Sequence, residues 1–207
     1  MKKNNLICFV RSVALLPFMA ALALVLGIYG GQIYQNILVQ KQNTEDLARA
    51  ASVALADQMA SIRRSRAEAI DAYFEARNMP LSGTGMKMVL ESEKHMLDWR
   101  LLPAIAVRES TGGKNACDKA ENNSFGWASC KVGFNSNEQA IEVVAFNLGG
   151  KNPNTARHYE NKTVQQILRA YNPPSVVPRY AEQVMAIMNA IGSKDTVSAV
   201  LAVNVNK

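Results

Sequence analysis

The chain has 207 residues and a mass of 22.6 kDa, enough for one ordinary domain with appendages and too little for two full-sized ones. With 48% hydrophobic and 19% charged residues it is neither a disordered nor a collagen-like chain. Much of the net charge of +6 sits at the extreme N-terminus, where Lys2, Lys3, Arg11 and Lys41 face no Asp or Glu over residues 1–43. The remainder is too nearly balanced to suggest a nucleic-acid footprint.

From Ser12 to Gln40 no residue is charged, and the run SVALLPFMAALALVLGIYG inside that stretch has membrane-spanning length. Lys2, Lys3 and Arg11 precede the run and no comparable cluster follows it. The positive-inside rule therefore puts the N-terminus in the cytoplasm and everything after about Gly31 outside. The rival reading is a cleaved signal peptide. The run is longer than a usual signal core and leads into Ile28-Tyr29-Gly30-Gly31 rather than a small-x-small site, which favours an uncleaved anchor over residues 1–43.

Residues 44–78 contain no Pro or Gly, and Leu47, Ala51, Leu55, Met59 and Ile62 recur at helical spacing. The pattern predicts an amphipathic helical stalk that self-associates or packs on the following domain. Arg63, Arg64 and Arg66 read as a solvated helix face. Pro80, Gly83 and Gly85 mark a break, after which residues 79–192 read as short helices and loops with no alternating strand pattern.

Within that domain Met86, Val89, Leu90 and Leu97 share one helical face, and a second helix is expected to start at Pro103, since proline suits a first turn, and to end before Gly112-Gly113. Ser136-x-x-Gln139 and Thr163-x-x-Gln166 are capping-box patterns that open two further helices. Pro178 is expected to open a last helix with Ala181, Val184, Met185, Met188 and Ile191 inward, closed by Gly192. Residues 193–207 have neither caps nor period and read as a loosely ordered tail. The fold class is mainly α.

Glu109 follows Leu102, Ile105 and Ala106 by seven, four and three positions, which places a carboxylate on the buried face of its helix. It also falls in the last turn, where the helix dipole disfavours an anion. Desolvation and dipole both raise its pKa toward that of a general acid. The bland alternative is a helix-end Glu paired with Arg108 or Arg100. Downstream, Asn122-Asn123-Ser124-Phe125-Gly126-Trp127 alternates amides and aromatics, a combination suited to sugar rings and their hydroxyl and acetamido groups.

Leu101-Leu102-Pro103-Ala104-Ile105-Ala106-Val107-Arg108-Glu109-Ser110, then Asn123-Ser124-Phe125-Gly126-Trp127, then Phe134-Asn135-Ser136, and finally Tyr171 and Tyr180 resemble the endo-β-N-acetylglucosaminidase branch of the lysozyme-like superfamily, the family 73 glycoside hydrolases. The resemblance spans about residues 84–191; the Glu-Ser pair is shared with lytic transglycosylases. It implies a small lysozyme-like helical domain that cleaves a β-1,4 bond in the glycan strands of peptidoglycan, with Glu109 and Tyr171 catalytic. On the same footing Asn123, Phe125, Trp127 and Tyr180 bind substrate. No second carboxylate is assigned: Asp118 and Glu121 are the nearby candidates, and the substrate's own acetamido group is the alternative. The other readings are a lytic transglycosylase using the same Glu109, and a non-catalytic glycan-binding or assembly module.

Cys117 and Cys130 flank the proposed sugar-contacting loop, and an extracytoplasmic setting permits a disulfide between them. His95 and His158 lie far apart without metal-ligand spacing, and no glycine-rich phosphate loop is present, so the sequence implies no metal and no cofactor.

Overall fold

The computed structural model describes residues 3–192, with side chains described from Tyr29 onward. Most of the apolar run read as an anchor lies outside the described side chains, and the expected tail, residues 193–207, lies outside the described residues altogether. Among the described residues no helix is long and apolar enough to cross a membrane. The architecture is mainly helical, with no strand among the described residues.

Two compact units divide inside the first helix, α1 (Lys3–Glu75), between Asp57 and Gln58. In the first unit the described α1 side chains, Tyr29 onward, are exposed. Leu47 and Leu55 of the expected apolar stripe are 70% and 60% accessible, so nothing in the unit covers it.

The second unit begins with the final turns of α1. Ile62, Ala67, Ile70 and Phe74 are buried there, and the last two are wholly inaccessible. This half of the expected stalk is thus part of the folded core. The arginines are not all solvated: Arg63 Nε lies 2.6 Å from Glu93 Oε2 and Arg66 Nη1 lies 3.4 Å from Glu93 Oε1. The Pro/Gly segment after α1 is also packed. Met79 and Leu81 are buried, and the Asp71 carboxylate accepts 2.9 Å bonds from the backbone N–H groups of both Gly83 and Gly85.

The helices that follow are α2 (Gly85–Lys94), α3 (Leu101–Ser110), α4 (Asn137–Leu148), the short α5 (Ala156–Tyr159), α6 (Val164–Tyr171) and α7 (Tyr180–Ile191). Helix α3 is the hub. Leu101, Leu102, Ala104, Ile105 and Ala106 are fully buried, and the helix packs against α7, α2 and α4. Burying all sides of one helix explains its near-continuous apolar sequence and leaves its last turn as the place where polar chemistry can emerge. The helix begins at Leu101, two residues before Pro103 where the sequence placed its start, and Pro103 still falls in the first turn.

Helix caps follow the sequence patterns. Thr163 makes a complete capping box with Gln166, and Ser136 accepts from the Gln139 N–H at 3.2 Å while the Gln139 side chain reaches back one residue further, to the Asn135 N–H. Two apolar faces turn out differently from the pattern. Helix α2 buries Met88, Val89 and Ser92 and exposes Met86 and Leu90, because it also packs on α4; on α7 Met185 is 39% exposed beside the buried Val184 and Met188.

If α1 enters the core only from Gln58 onward, Phe74→Ala should destabilise the second unit by roughly 3–5 kcal/mol, as large aromatic truncations do. Leu47→Ala should change stability by less than about 0.5 kcal/mol. Chemical denaturation of the full chain followed by circular dichroism reads both.

Candidate active site

Glu109 stands in the last turn of α3, where Thr111 in the left-handed conformation ends the helix and Gly112 and Gly113, with φ of 63° and 99°, turn the chain away. Ser110 fastens this corner. Its hydroxyl donates to the Ser124 carbonyl at 2.7 Å and accepts from the Gly113 N–H at 2.9 Å, drawing residues 122–127 against the helix end. Gly126 then passes beside the carboxylate. A Cβ at Gly126 would stand 2.9 Å from Glu109 Oε2, and its φ is 62°, so both space and backbone conformation call for glycine.

The Glu109 carboxylate is half-buried, and Tyr180, at the first position of α7, donates its hydroxyl proton to Oε1 at 2.5 Å. Burial pushes the Glu109 pKa up; the Tyr180 bond and the Arg108 charge pull in the opposite direction without reversing it. The neighbouring phenols are held neutral. Burial and the Glu109 charge raise the pKa of Tyr180, and the same two causes raise that of Tyr171. Arg108 makes no ion pair with Glu109; its Nε donates to Gln183 Oε1 at 2.8 Å and its guanidinium lies 5.8 Å from the centre of the Tyr180 ring.

Glu109 opens into a cleft of about 1000 Å³. Trp127 and Tyr171 form an aromatic wall, with ring centres 5.8 Å apart, and Tyr171 stacks on Tyr180 at 6.1 Å with the planes 9° apart. The lining also takes in Val143 and Asn147 of α4, then Asn152, Thr155, His158 and Tyr159, and Pro173 and Val176. Asn147 organises that side. It donates to the Val143 carbonyl at 2.8 Å and accepts from Asn152 Nδ2 at 2.9 Å and Thr155 Oγ1 at 2.8 Å.

The six residues singled out from sequence divide into two groups. Glu109, Trp127 and Tyr171 lie together in the lining, and Tyr180 reaches Glu109 from outside it; Tyr171 gives its hydroxyl proton to the Phe125 carbonyl and so steadies the loop. Asn123 and Phe125 are fully buried and do not line the cleft. Both Asn123 amide groups are committed: Nδ2 donates to the carbonyls of Trp127 at 3.0 Å and Val132 at 2.9 Å, and Oδ1 accepts from the Trp127 N–H at 2.9 Å. Neither has a free group to offer a sugar, so they position the loop that carries Trp127.

Asp118 and Glu121 are exposed and stand outside the lining, which leaves Glu109 as its one carboxylate. Among the described residues no three His, Cys, Asp or Glu side chains gather as a metal site. The disulfide is formed: Cys117 and Cys130 are bonded, with Cα atoms 5.6 Å apart. Between Gly126 and Cys130 the backbone is unusual. Ala128, Ser129 and Cys130, at φ of 53°, 55° and 58°, make three consecutive left-handed residues without a glycine among them, each costing roughly 1–2 kcal/mol. All three line the cleft.

Compared with family models, with curated proteins and with solved structures, the chain finds no match in any of the three.

Because burial holds the Glu109 carboxyl above its ordinary value, the folded state binds its proton more tightly than the unfolded chain does. Stability should fall as pH rises from the ordinary carboxyl value through the raised one, and be level on either side. Glu109→Gln removes this dependence, so the stability difference between variant and wild type should grow across that window in favour of the variant. The paired comparison cancels other groups such as the buried His95. Thermal unfolding at stepped pH reads it, and a flat difference would refute the raised carboxyl.

Proposed function

We propose that the chain is a membrane-anchored peptidoglycan hydrolase that cleaves a β-1,4 glycosidic bond, on the side following N-acetylglucosamine, with Glu109 as general acid. One observation carries this reading: a half-buried carboxyl, raised in pKa and fixed by Tyr180, opens into a cleft of about 1000 Å³ beside an aromatic wall. That is the arrangement a glycosidase uses to deliver a proton to a leaving oxygen while apolar sugar faces rest on aromatic rings. The resemblance of residues 84–191 to the family 73 glycoside hydrolases points the same way. The uncharged run after Arg11 supports a single-pass anchor with the N-terminus cytoplasmic and the domain extracytoplasmic.

In the proposed reaction Glu109 gives its proton to the glycosidic oxygen, the C1–O bond breaks with its electrons going to that oxygen, and positive charge develops at C1 and the ring oxygen. Trp127 and Tyr171 hold the ring. Glu109, now a carboxylate stabilised by the Tyr180 hydroxyl, takes a proton from the attacking water, which regenerates the acid and leaves a reducing end.

The solitary carboxylate favours a second reading, that of a lytic transglycosylase. With no second acidic side chain in the lining to act as nucleophile, the substrate's acetamido oxygen is the nearest group to shield C1, and the sugar's own 6-hydroxyl can then attack in place of water. Glu109 would take the hydroxyl proton, and the product would be a 1,6-anhydro ring.

Incubating the detergent-solubilised full chain with purified peptidoglycan, followed by mass spectrometry of the released ends, separates these outcomes. New reducing N-acetylglucosamine ends are expected, and 1,6-anhydro ends would select the transglycosylase. Glu109→Gln should lower either rate on the order of 10²–10⁴-fold. Wild type that binds glycan without cutting it would make the protein a wall-binding module.

A further inference from the structure

One stretch of the cleft lining, residues 128–130, is built from backbone that has no intrinsic preference for its own shape. Ala128, Ser129 and Cys130 are all left-handed, their side chains are exposed, and none is a glycine. Such a conformation persists only where its surroundings over-determine it. Hydrogen bonds and one covalent bond supply them. Asn123 grips the Trp127 N–H and carbonyl before the turn and the Val132 carbonyl after it, the Lys131 N–H closes on the Ala128 carbonyl at 3.2 Å, and the one covalent restraint runs from Cys130 to Cys117. Cys130 is both the last left-handed residue and the bonded one, so the disulfide acts directly on the strained turn.

The turn also reaches the reacting group. Gly126, at its start, abuts the Glu109 carboxylate, and Trp127 supplies half of the aromatic wall. Releasing Cys130 lets residues 128–130 return to right-handed or extended backbone, and that change must be absorbed by Gly126 and Trp127 on one side or by Lys131 and Val132 on the other.

We propose that the Cys117–Cys130 disulfide is a latch that assembles the cleft, so that the site works in the oxidised chain and is silent in the reduced one. The inference rests on the peptidoglycan-cleavage reading and adds a regulator to it. The switch is a two-electron, two-proton step. A thiol reductant attacks one sulfur, the S–S bond breaks, and a second reductant thiol resolves the mixed disulfide, leaving two protein thiols and the reductant as its own disulfide. A chain still in a thiol-rich compartment would then carry Glu109 without a formed wall, and oxidation after export would complete the site.

The test uses the full chain in detergent, oxidised or treated with dithiothreitol, with free thiols counted and far-ultraviolet circular dichroism recorded. Two readouts are followed: release of peptidoglycan fragments, and tryptic cleavage after the exposed Lys131 at the end of the turn. Reduction should lower fragment release at least tenfold and speed cleavage after Lys131 at least tenfold while the helical signal is retained. The variant Ala128→Gly/Ser129→Gly, whose backbone takes positive φ without strain, should lose less than threefold of its own oxidised activity on reduction. Equal activity of oxidised and reduced wild type would overturn the latch and leave the hydrolase reading standing. If the oxidised chain cuts no peptidoglycan, the hydrolase reading fails and the latch fails with it as a regulator of cleavage; the trypsin rates then report only whether the bond holds the turn. A glycine variant as sensitive to reduction as wild type would also overturn the proposal, since release of strain would not be the cause.

Discussion

The hydrogen bond from the Tyr180 hydroxyl to Glu109 joins the end of α3 to the beginning of α7, the pair of helices in closest association within the domain. It sets the carboxyl's position and, by stabilising the anion, limits how far burial can raise its pKa. A carboxyl buried without such a donor would hold its proton too tightly to release it; one left in water would have none to give near neutral pH. The packing of α3 supplies the burial, and α7 supplies the donor.

The rest of the site follows from making room beside that bond. Ser110 and Gly126 bring the 122–127 loop against the helix end, Asn123 fixes the loop from within, and Tyr171 closes it by bonding to the Phe125 carbonyl. The aromatic stack Trp127, Tyr171 and Tyr180 is therefore continuous from the cleft wall to the acid. Under the proposed function, a sugar ring on Trp127 would be registered against Glu109 through this stack.

Much of this was legible in the residues. Glu109 announces itself because three apolar residues at helical spacing precede it and two glycines follow, and the Thr163 capping box is a local device whose partners lie three residues apart. The parts that were not legible depend on long-range placement. Asn123 and Trp127 look equally suited to sugar, and only the fold turns one inward to hold the backbone while leaving the other in the wall. Asn147, Asn152 and Thr155 lie in an unremarkable stretch and become a cleft wall because α4 and the α4–α5 loop face Glu109. The left-handed turn left no mark at all, since Ala128 and Ser129 are ordinary residues forced by their neighbours into a glycine-like shape. Helix α1 shows the same principle: a single 3.6-residue period runs across Asp57, and only tertiary packing makes its last turns part of the core.

The account turns on one carboxyl being held as an acid. Carboxyl-selective ¹³C NMR of the glutamate-labelled chain, titrated in wild type and in Tyr180→Phe, measures that directly. One glutamate resonance, absent from Glu109→Gln, should titrate above the ordinary carboxyl value and move higher still when the Tyr180 hydroxyl is removed. A Glu109 resonance titrating at or below the ordinary value in wild type, or unmoved by Tyr180→Phe, would contradict it.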